Sequence, residues 1–251
     1  MNSEMQNAIS YKLQTLADDE LILAHRNSEW TGHGPILEED IAFTNIALDE
    51  MGHAATWLRL RQELMGEEAD TAVFFREAAD FRNVQLVELP NGDWAFSMLR
   101  QYLFDVYELL HLAQLANSDY QPLAEAAAKI RSEEVYHLRH TSNWIKRLGL
   151  GTDESRERMQ NALDLLWPYA QQLFEPLPVE SILVEEQVVT PTSMIYEAWV
   201  EKTTGHLVNA GLIMPTYQSL PASNRSQHTG DLAILLNEMQ SVARLDPEAQ
   251  W

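Results

Sequence analysis

Two Glu-x-x-His motifs, Glu50 with His53 and Glu134 with His137, lie 84 positions apart, and each interrupts an apolar helical stripe. Phe43, Ile46, Trp57, Leu60 and Leu64 keep a three- and four-residue step with the first motif; Leu123, Ala127, Ile130, Thr141, Trp144 and Leu148 keep it with the second. A carboxylate facing a core is costly unless something balances its charge. Two further stripes carry one acid each: Ile9, Leu13, Leu16, Glu20 and Leu23, and Met98, Tyr102, Asp105, Leu109 and Leu112. Glu20 precedes Glu50 by 30 positions and Asp105 precedes Glu134 by 29, a repeat of two helical hairpins in spacing rather than in overt sequence. Two divalent cations balance the charge of Glu20, Glu50, Asp105 and Glu134, with neutral imidazoles from His53 and His137 completing the ligand sets. Oxygen and nitrogen donors without sulfur suit two iron ions, or manganese, and leave positions for water or dioxygen. The same six residues also admit a metal-free buried charge network with Arg100, Lys129 or Arg139 as counter-ions. Spacing does not choose between these readings.

Helices must position these side chains. Periodicity and break signals predict them over about 7–29, 37–65, 93–116 and onward from Pro122 to about 148. Thr31-Gly32-His33-Gly34-Pro35 turns the first pair into a hairpin, and Glu38, Glu39 and Asp40 favour the start of the second helix. Residues 67–92, ending in Pro90-Asn91-Gly92, form a crossover of ill-defined secondary structure. A fifth helix follows over about 154–174, then a loop at Pro176 and Pro178. Two more helices are expected near 191–210 and 231–244, with a Pro/Ser/Asn-rich surface loop between them. One acid from each of two helices and Glu-x-x-His from each of the other two is the layout of di-metal carboxylate bundles. The expected fold is therefore all-α, a ferritin-like four-helix bundle with additional C-terminal helices. It forms a single domain over 1–251: first hairpin 1–66, crossover 67–92, second hairpin 93–148, extra helices and loops 149–251.

Composition narrows the function. A net charge of -21 opposes nucleic acid and anionic membrane surfaces and favours a basic or neutral protein partner. With no cysteine there is no disulfide, thiolate ligand or cysteine nucleophile, in keeping with a cytoplasmic protein. Met1 to Gln6 has no secretory character, and no apolar run approaches membrane-spanning length. Phosphate-cradling loops and the Gly-x-Ser-x-Gly elbow are missing. Among the other histidines, His33 and His228 are candidate interface contacts, while His111, His140 and His206 read as structural or surface residues. Tyr102, Tyr107 and Tyr136 are expected near the site as packing residues.

Several stretches resemble a known family across nearly the whole chain. They are Ser28-Glu29-Trp30-Thr31-Gly32-His33-Gly34-Pro35 with Leu37-Glu38-Glu39-Asp40-Ile41-Ala42, Glu88-Leu89-Pro90-Asn91-Gly92-Asp93-Trp94-Ala95, Arg100-Gln101-Tyr102-Leu103-Phe104-Asp105, Tyr136-His137-Leu138-Arg139, Arg147-Leu148-Gly149 to Gly151-Thr152, and Glu238-Met239-Gln240 to Trp251. They are similar to the phenylacetyl-CoA epoxygenase subunits of the PaaC type, ferritin-like members of the bacterial multicomponent oxygenases. The resemblance implies a complex in which a homologous catalytic subunit holds di-iron and other oxygenase subunits join it, an acyl-CoA substrate, and NADPH electrons delivered by a separate reductase. It also implies a scaffold role, since such subunits usually lack metal. This chain departs from that pattern: Ala47-Leu48-Asp49-Glu50-Met51-Gly52-His53 carries the Glu and His that scaffold members lack, and Glu20 and Glu134 accompany them. Ser226-Gln227-His228-Thr229-Gly230 departs from the family's usual His-Thr-Glu. The reading is a subunit of a phenylacetyl-CoA epoxygenase-like oxygenase in aerobic phenylacetate catabolism, as scaffold or with its own di-metal site. A stand-alone di-iron or di-manganese oxidase or ferroxidase and a metal-free interaction module are the alternatives.

Overall fold

A computed structural model describes residues 1–216, 222 and 224–247 of the 251-residue chain. The chain is 74% helical with no strands among the described residues, an all-α fold of the ferritin-like kind. Its order is α1 (Ser3–Ser28), α2 (Leu37–Met65), α3 (Ala69–Phe74), a 3-10 turn (Ala78–Asp80), α4 (Gln85–Glu88), α5 (Trp94–Leu115), α6 (Gln121–Gly149), α7 (Asp153–Ala170), a second 3-10 turn (Gln171–Phe174), α8 (Glu180–Glu185), α9 (Ser193–Asn209), α10 (Gly230–Met239) and α11 (Ser241–Leu245). The long pairs α1/α2 and α5/α6 pack as hairpins, and α2 also touches α6.

Local chemistry sets the boundaries. α1 begins a turn earlier than periodicity indicates because the Asn2 side chain accepts from the Met5 amide at 2.8 Å. Gly66 closes α2 in the left-handed conformation, φ 77°. Asp93 caps α5 through the Phe96 amide, and Thr152 with Ser155 forms a capping box on α7. Pro168 lies inside the last turn of α7, which then tightens into the 3-10 turn instead of running on as one helix to Phe174. The loop expected after Phe174 contains α8, and the last expected helix is broken at Gln240, whose Nε2 donates to the carbonyls of Val73 and Arg76. Part of the loop expected before α10, and the end of the stretch running to Trp251, lie outside the described residues.

The crossover resolves into short helices tied to α1. Asp18 accepts from the Arg82 amide and pairs with Arg76; Asp19 accepts from the Val84 amide and pairs with Arg225 at 2.7 Å. His228, a candidate interface contact on sequence grounds, is instead spent internally, bonding Glu88 Oε2 and the Phe81 carbonyl. His33 is exposed.

Gly149, at the end of α6, lies tight against Ala210, which caps α9. A Cβ there would lie 2.2 Å from the Ala210 carbonyl oxygen. Since backbone must move, Gly149→Ala should cost about 2–3 kcal/mol, read as a drop in Tm; an unchanged melting temperature would refute the contact.

Candidate metal centre

The inward stripes of the four long helices meet at one level. Glu20 (α1), Glu50 and His53 (α2), Asp105 (α5), and Glu134 and His137 (α6) are all buried, none more than 2% exposed. Their donor atoms fall into two groups, each within 4.8 Å: Glu20, Glu50, His53 and Glu108, and Glu50, Asp105, Glu134 and His137. Glu50 belongs to both. The two imidazoles stand 6.0 Å apart between ring centres.

Glu108 is the residue that sequence reasoning missed. α5 is buried without interruption from Ala95 to Glu108, so periodicity cannot show which face meets the other helices. Spacing draws the stripe through Leu109, which is only partly buried; the inward line runs Gln101, Asp105, Glu108, Leu112. The available signal is a second acid three residues after Asp105 and four before Leu112. With five carboxylates, two divalent ions no longer balance the charge unless one acid keeps its proton.

Neighbouring side chains fix the carboxylates. Trp57 Nε1 donates to Glu20 Oε1 at 2.8 Å, Thr141 Oγ1 to Asp105 Oδ2 at 2.6 Å, and Gln101 Nε2 to both Glu50 Oε1 and Asp105 Oδ1 at 2.6 and 2.7 Å. Each histidine reaches across to the other motif's helix: His53 Nε2 donates to Glu133 at 2.7 Å and His137 Nε2 lies 3.3 Å from Asp49 Oδ2. The doubled pattern Asp49-Glu50-x-x-His53 and Glu133-Glu134-x-x-His137 therefore pairs each outer acid with the opposite imidazole. With the proton on Nε2, each Nδ1 lone pair faces the carboxylates.

Electrostatics shows how unbalanced the cluster is on its own. Burial pushes Glu20 up to about 8, with Glu50 adding to the rise against His53 and Trp57. Burial, then neighbouring carboxylates, raise Asp105, Glu108 and Glu134 as well. Burial alone lowers the two histidines, but the surrounding carboxylates outweigh it: Glu20, Glu50 and Glu134 raise His53, and Glu134, Asp49 and Glu50 raise His137. Protons thus hold the place of cations. Glu20 Oε2, Glu50 Oε2, His53 Nδ1, Glu108 Oε2 and Glu134 Oε2 are buried without a hydrogen-bond partner, while Glu134 Oε1 and His137 Nδ1 lie 2.8 Å apart. Buried polar atoms are ordinarily paired, so this convergence of orphaned oxygen and imidazole donors fits divalent metal ions.

The counter-ions considered for a metal-free network lie elsewhere. Arg100 is buried but donates to the Leu89 carbonyl and Asn91 Oδ1, and Lys129 and Arg139 are exposed. Tyr102 stacks on His206 and Tyr107 on His111, while Tyr136 is 71% exposed and away from the interior. At one end of the bundle Trp94 packs edge-on against Trp30, Phe43 and Trp144. Phe43, Ile46, Met98 and Trp144 form their own buried cluster there.

A family profile described as phenylacetic acid catabolic protein matches residues 1–251. The C subunit of 1,2-phenylacetyl-CoA epoxidase from Escherichia coli (strain K12) is 36% identical over 249 residues, 98% of this chain and 100% of that relative. The A subunit of the same epoxidase is 22% identical over 160 residues, 64% of this chain and 52% of that relative.

Proposed function

The chain belongs to the phenylacetic acid catabolic protein family, and on that footing we propose that it is a subunit of a cytoplasmic phenylacetyl-CoA epoxidase-type oxygenase with a di-iron centre of its own. The full-length similarity to the epoxidase's C subunit supports a place in a complex of several subunits, and the weaker similarity to its A subunit supports a homologous partner. One observation carries the metal centre: seven buried donor residues in two groups that share Glu50.

In this reading Glu20, His53 and Glu108 would hold one ion and Asp105, Glu134 and His137 the other, with Glu50 available to both. Iron held by these residues would supply dioxygen activation. The chain's own contribution is positioning. Glu133 and Asp49 keep the imidazole protons on Nε2, so both Nδ1 atoms stay free to ligate. Trp57, Thr141 and Gln101 hold the carboxylates in place before any ion arrives. Burial and the neighbouring carboxylates Glu134, Glu20 and Glu50 raise Glu108 well above its usual range in the metal-free chain, so a bound ion would take the place of its proton. The main core cluster, running from Ala8 to Leu236, supports one domain over the described residues.

The test is anaerobic Fe(II) loading of the isolated chain, followed by mixing with a partner of the A type. About two ions per chain and a stable complex are expected. A stable complex without iron would leave a scaffold. Iron-dependent dioxygen consumption by the isolated chain, with no partner bound, would favour a stand-alone oxidase.

A further inference from the structure

Beside the carboxylate cluster lies a second buried polar group that the metal centre does not use. Lys12 on α1 is 6% exposed, and its Nζ lies 2.8 Å from His111 Nε2 on α5. His111 is held by stacking on Tyr107, ring centres 5.3 Å apart, and its Nδ1 is buried without a partner. Two small cavities flank this pair, each of about 10 Å³, room for one water molecule. The first is lined by Asp19, Glu20, Tyr107, Glu108 and His111 among others. The second is lined by Lys12, His111, Glu180, Thr190 and Thr192 among others, and Thr190 is exposed. His111 borders both.

We infer that His111 and Lys12 form a relay carrying protons between the buried carboxylates at Glu20 and Glu108 and solvent at Thr190, through one water in each cavity. The inference rests on the proposed metal centre, which must exchange protons whenever ions enter or leave. Imidazole suits the task because it takes a proton on one ring nitrogen while releasing another from the second. For outward transfer the ring gives its Nε2 proton to unprotonated Lys12 and takes another at Nδ1 from water in the first cavity; with Lys12 as an ammonium, Nε2 accepts, Nδ1 carries the proton, and the path runs inward. Burial and Arg225 lower Lys12 to about 7, against Asp19 and Glu180, so both its forms are populated near neutrality. Burial, Lys12 and Arg225 push His111 well down, which keeps the ring neutral and ready to accept. On the outer side Thr192 donates to Glu180 and Thr190 to Gln114, continuing the polar path to the surface.

The test follows Co(II) binding to the full chain by stopped flow, with visible absorption reporting ligation and a pH indicator reporting proton release. His111→Phe with Lys12→Met removes both polar partners together, keeps a ring against Tyr107 and leaves no orphaned charge between them. Thr190→Leu obstructs only the exposed mouth and spares the core. Expected are an unchanged final Co(II) stoichiometry and spectrum, proton release at least about tenfold slower in the double variant, and a smaller slowing in Thr190→Leu. Wild-type rates in Thr190→Leu and in a folded double variant would overturn the relay. If the double variant does not fold, wild-type rates in Thr190→Leu alone would do so. Failure of the wild-type chain to bind Co(II) would instead strike at the metal centre.

Discussion

Glu50→Ala with Glu134→Ala should abolish metal uptake, taking a chain expected to bind about two ions to one that binds none at concentrations saturating the wild type. Glu50 contributes an oxygen to both donor groups, and Glu134 lies within 3.5 Å of His53 and 2.8 Å of His137. Removing the pair leaves each ion short of a bridging oxygen as well as of charge. Loss of an outer hydrogen-bond partner already costs metal sites about 10- to 100-fold in affinity, so loss of the one shared ligand together with a ligand of the second ion exceeds 100-fold. Stability moves the other way. In the metal-free chain five buried acids crowd two imidazoles, and replacing unbalanced buried charge by neutral groups of similar shape is often stabilising by about 1–4 kcal/mol. Glu50→Gln with Glu134→Gln should therefore raise the Tm of the EDTA-treated chain by several degrees while abolishing its metal content. Elemental analysis and thermal melts read the two effects. A fall in the metal-free Tm would mean that the carboxylates act as a net-stabilising charge network, and the case for ions would lose its main support.

What is legible in the sequence, and what is not, follows from how each helix is buried. α2 and α6 expose one side, so their apolar stripes stand out, and Phe43 to Trp57 and Leu123 to Trp144 occupy the inward positions read for them. The ends of α2 are equally readable, because Pro35 precedes the start and Gly66 follows the end. α1 and α5 are covered by α8 and α4 on one side and α7 and α9 on the other, and periodicity fades once every face is buried. That is why Glu108 escapes notice and Leu109 takes its place. Asp49 and Glu133 are invisible for a different reason: their partners sit across a gap between helices, and only the fold brings position 49 beside 137 and 133 beside 53. The Lys12–His111 pair, 99 positions apart, is legible in no local pattern. Long-range polar pairing follows from topology, which the stripes define only to the level of hairpins.

The metal-free and metal-loaded chains should respond to pH with opposite signs. Glu20 has an ordinary value of 4.5 and rises to about 8 in the fold. Below about pH 4.5 the folded and unfolded chains both hold this proton, and the burial penalty is absent. Between 4.5 and 8 the unfolded chain releases the proton while the folded chain keeps it, so stability falls by about 1.4 kcal/mol per pH unit for each such group until the folded group also ionises. Asp105, Glu108 and Glu134, all raised, act in the same direction. His53 and His137, also raised, contribute stability that is complete below the imidazole's ordinary 6.5 and is lost as pH climbs through their folded values. Every shifted group inside the cluster thus makes the EDTA-treated chain less stable between about pH 5.5 and 8.5. Metal reverses the slope, because ions bind the deprotonated donors and displace their protons; affinity rises with pH, and with it the stabilisation that ligand binding confers. Melts over this range, with EDTA and with excess Mn(II), should show two Tm curves that diverge as pH rises. Glu20→Gln should flatten the descending curve. A metal-free Tm that climbs across the same range would show that the buried acids are already ionised and balanced by the protein itself, leaving cations no role in holding the cluster together.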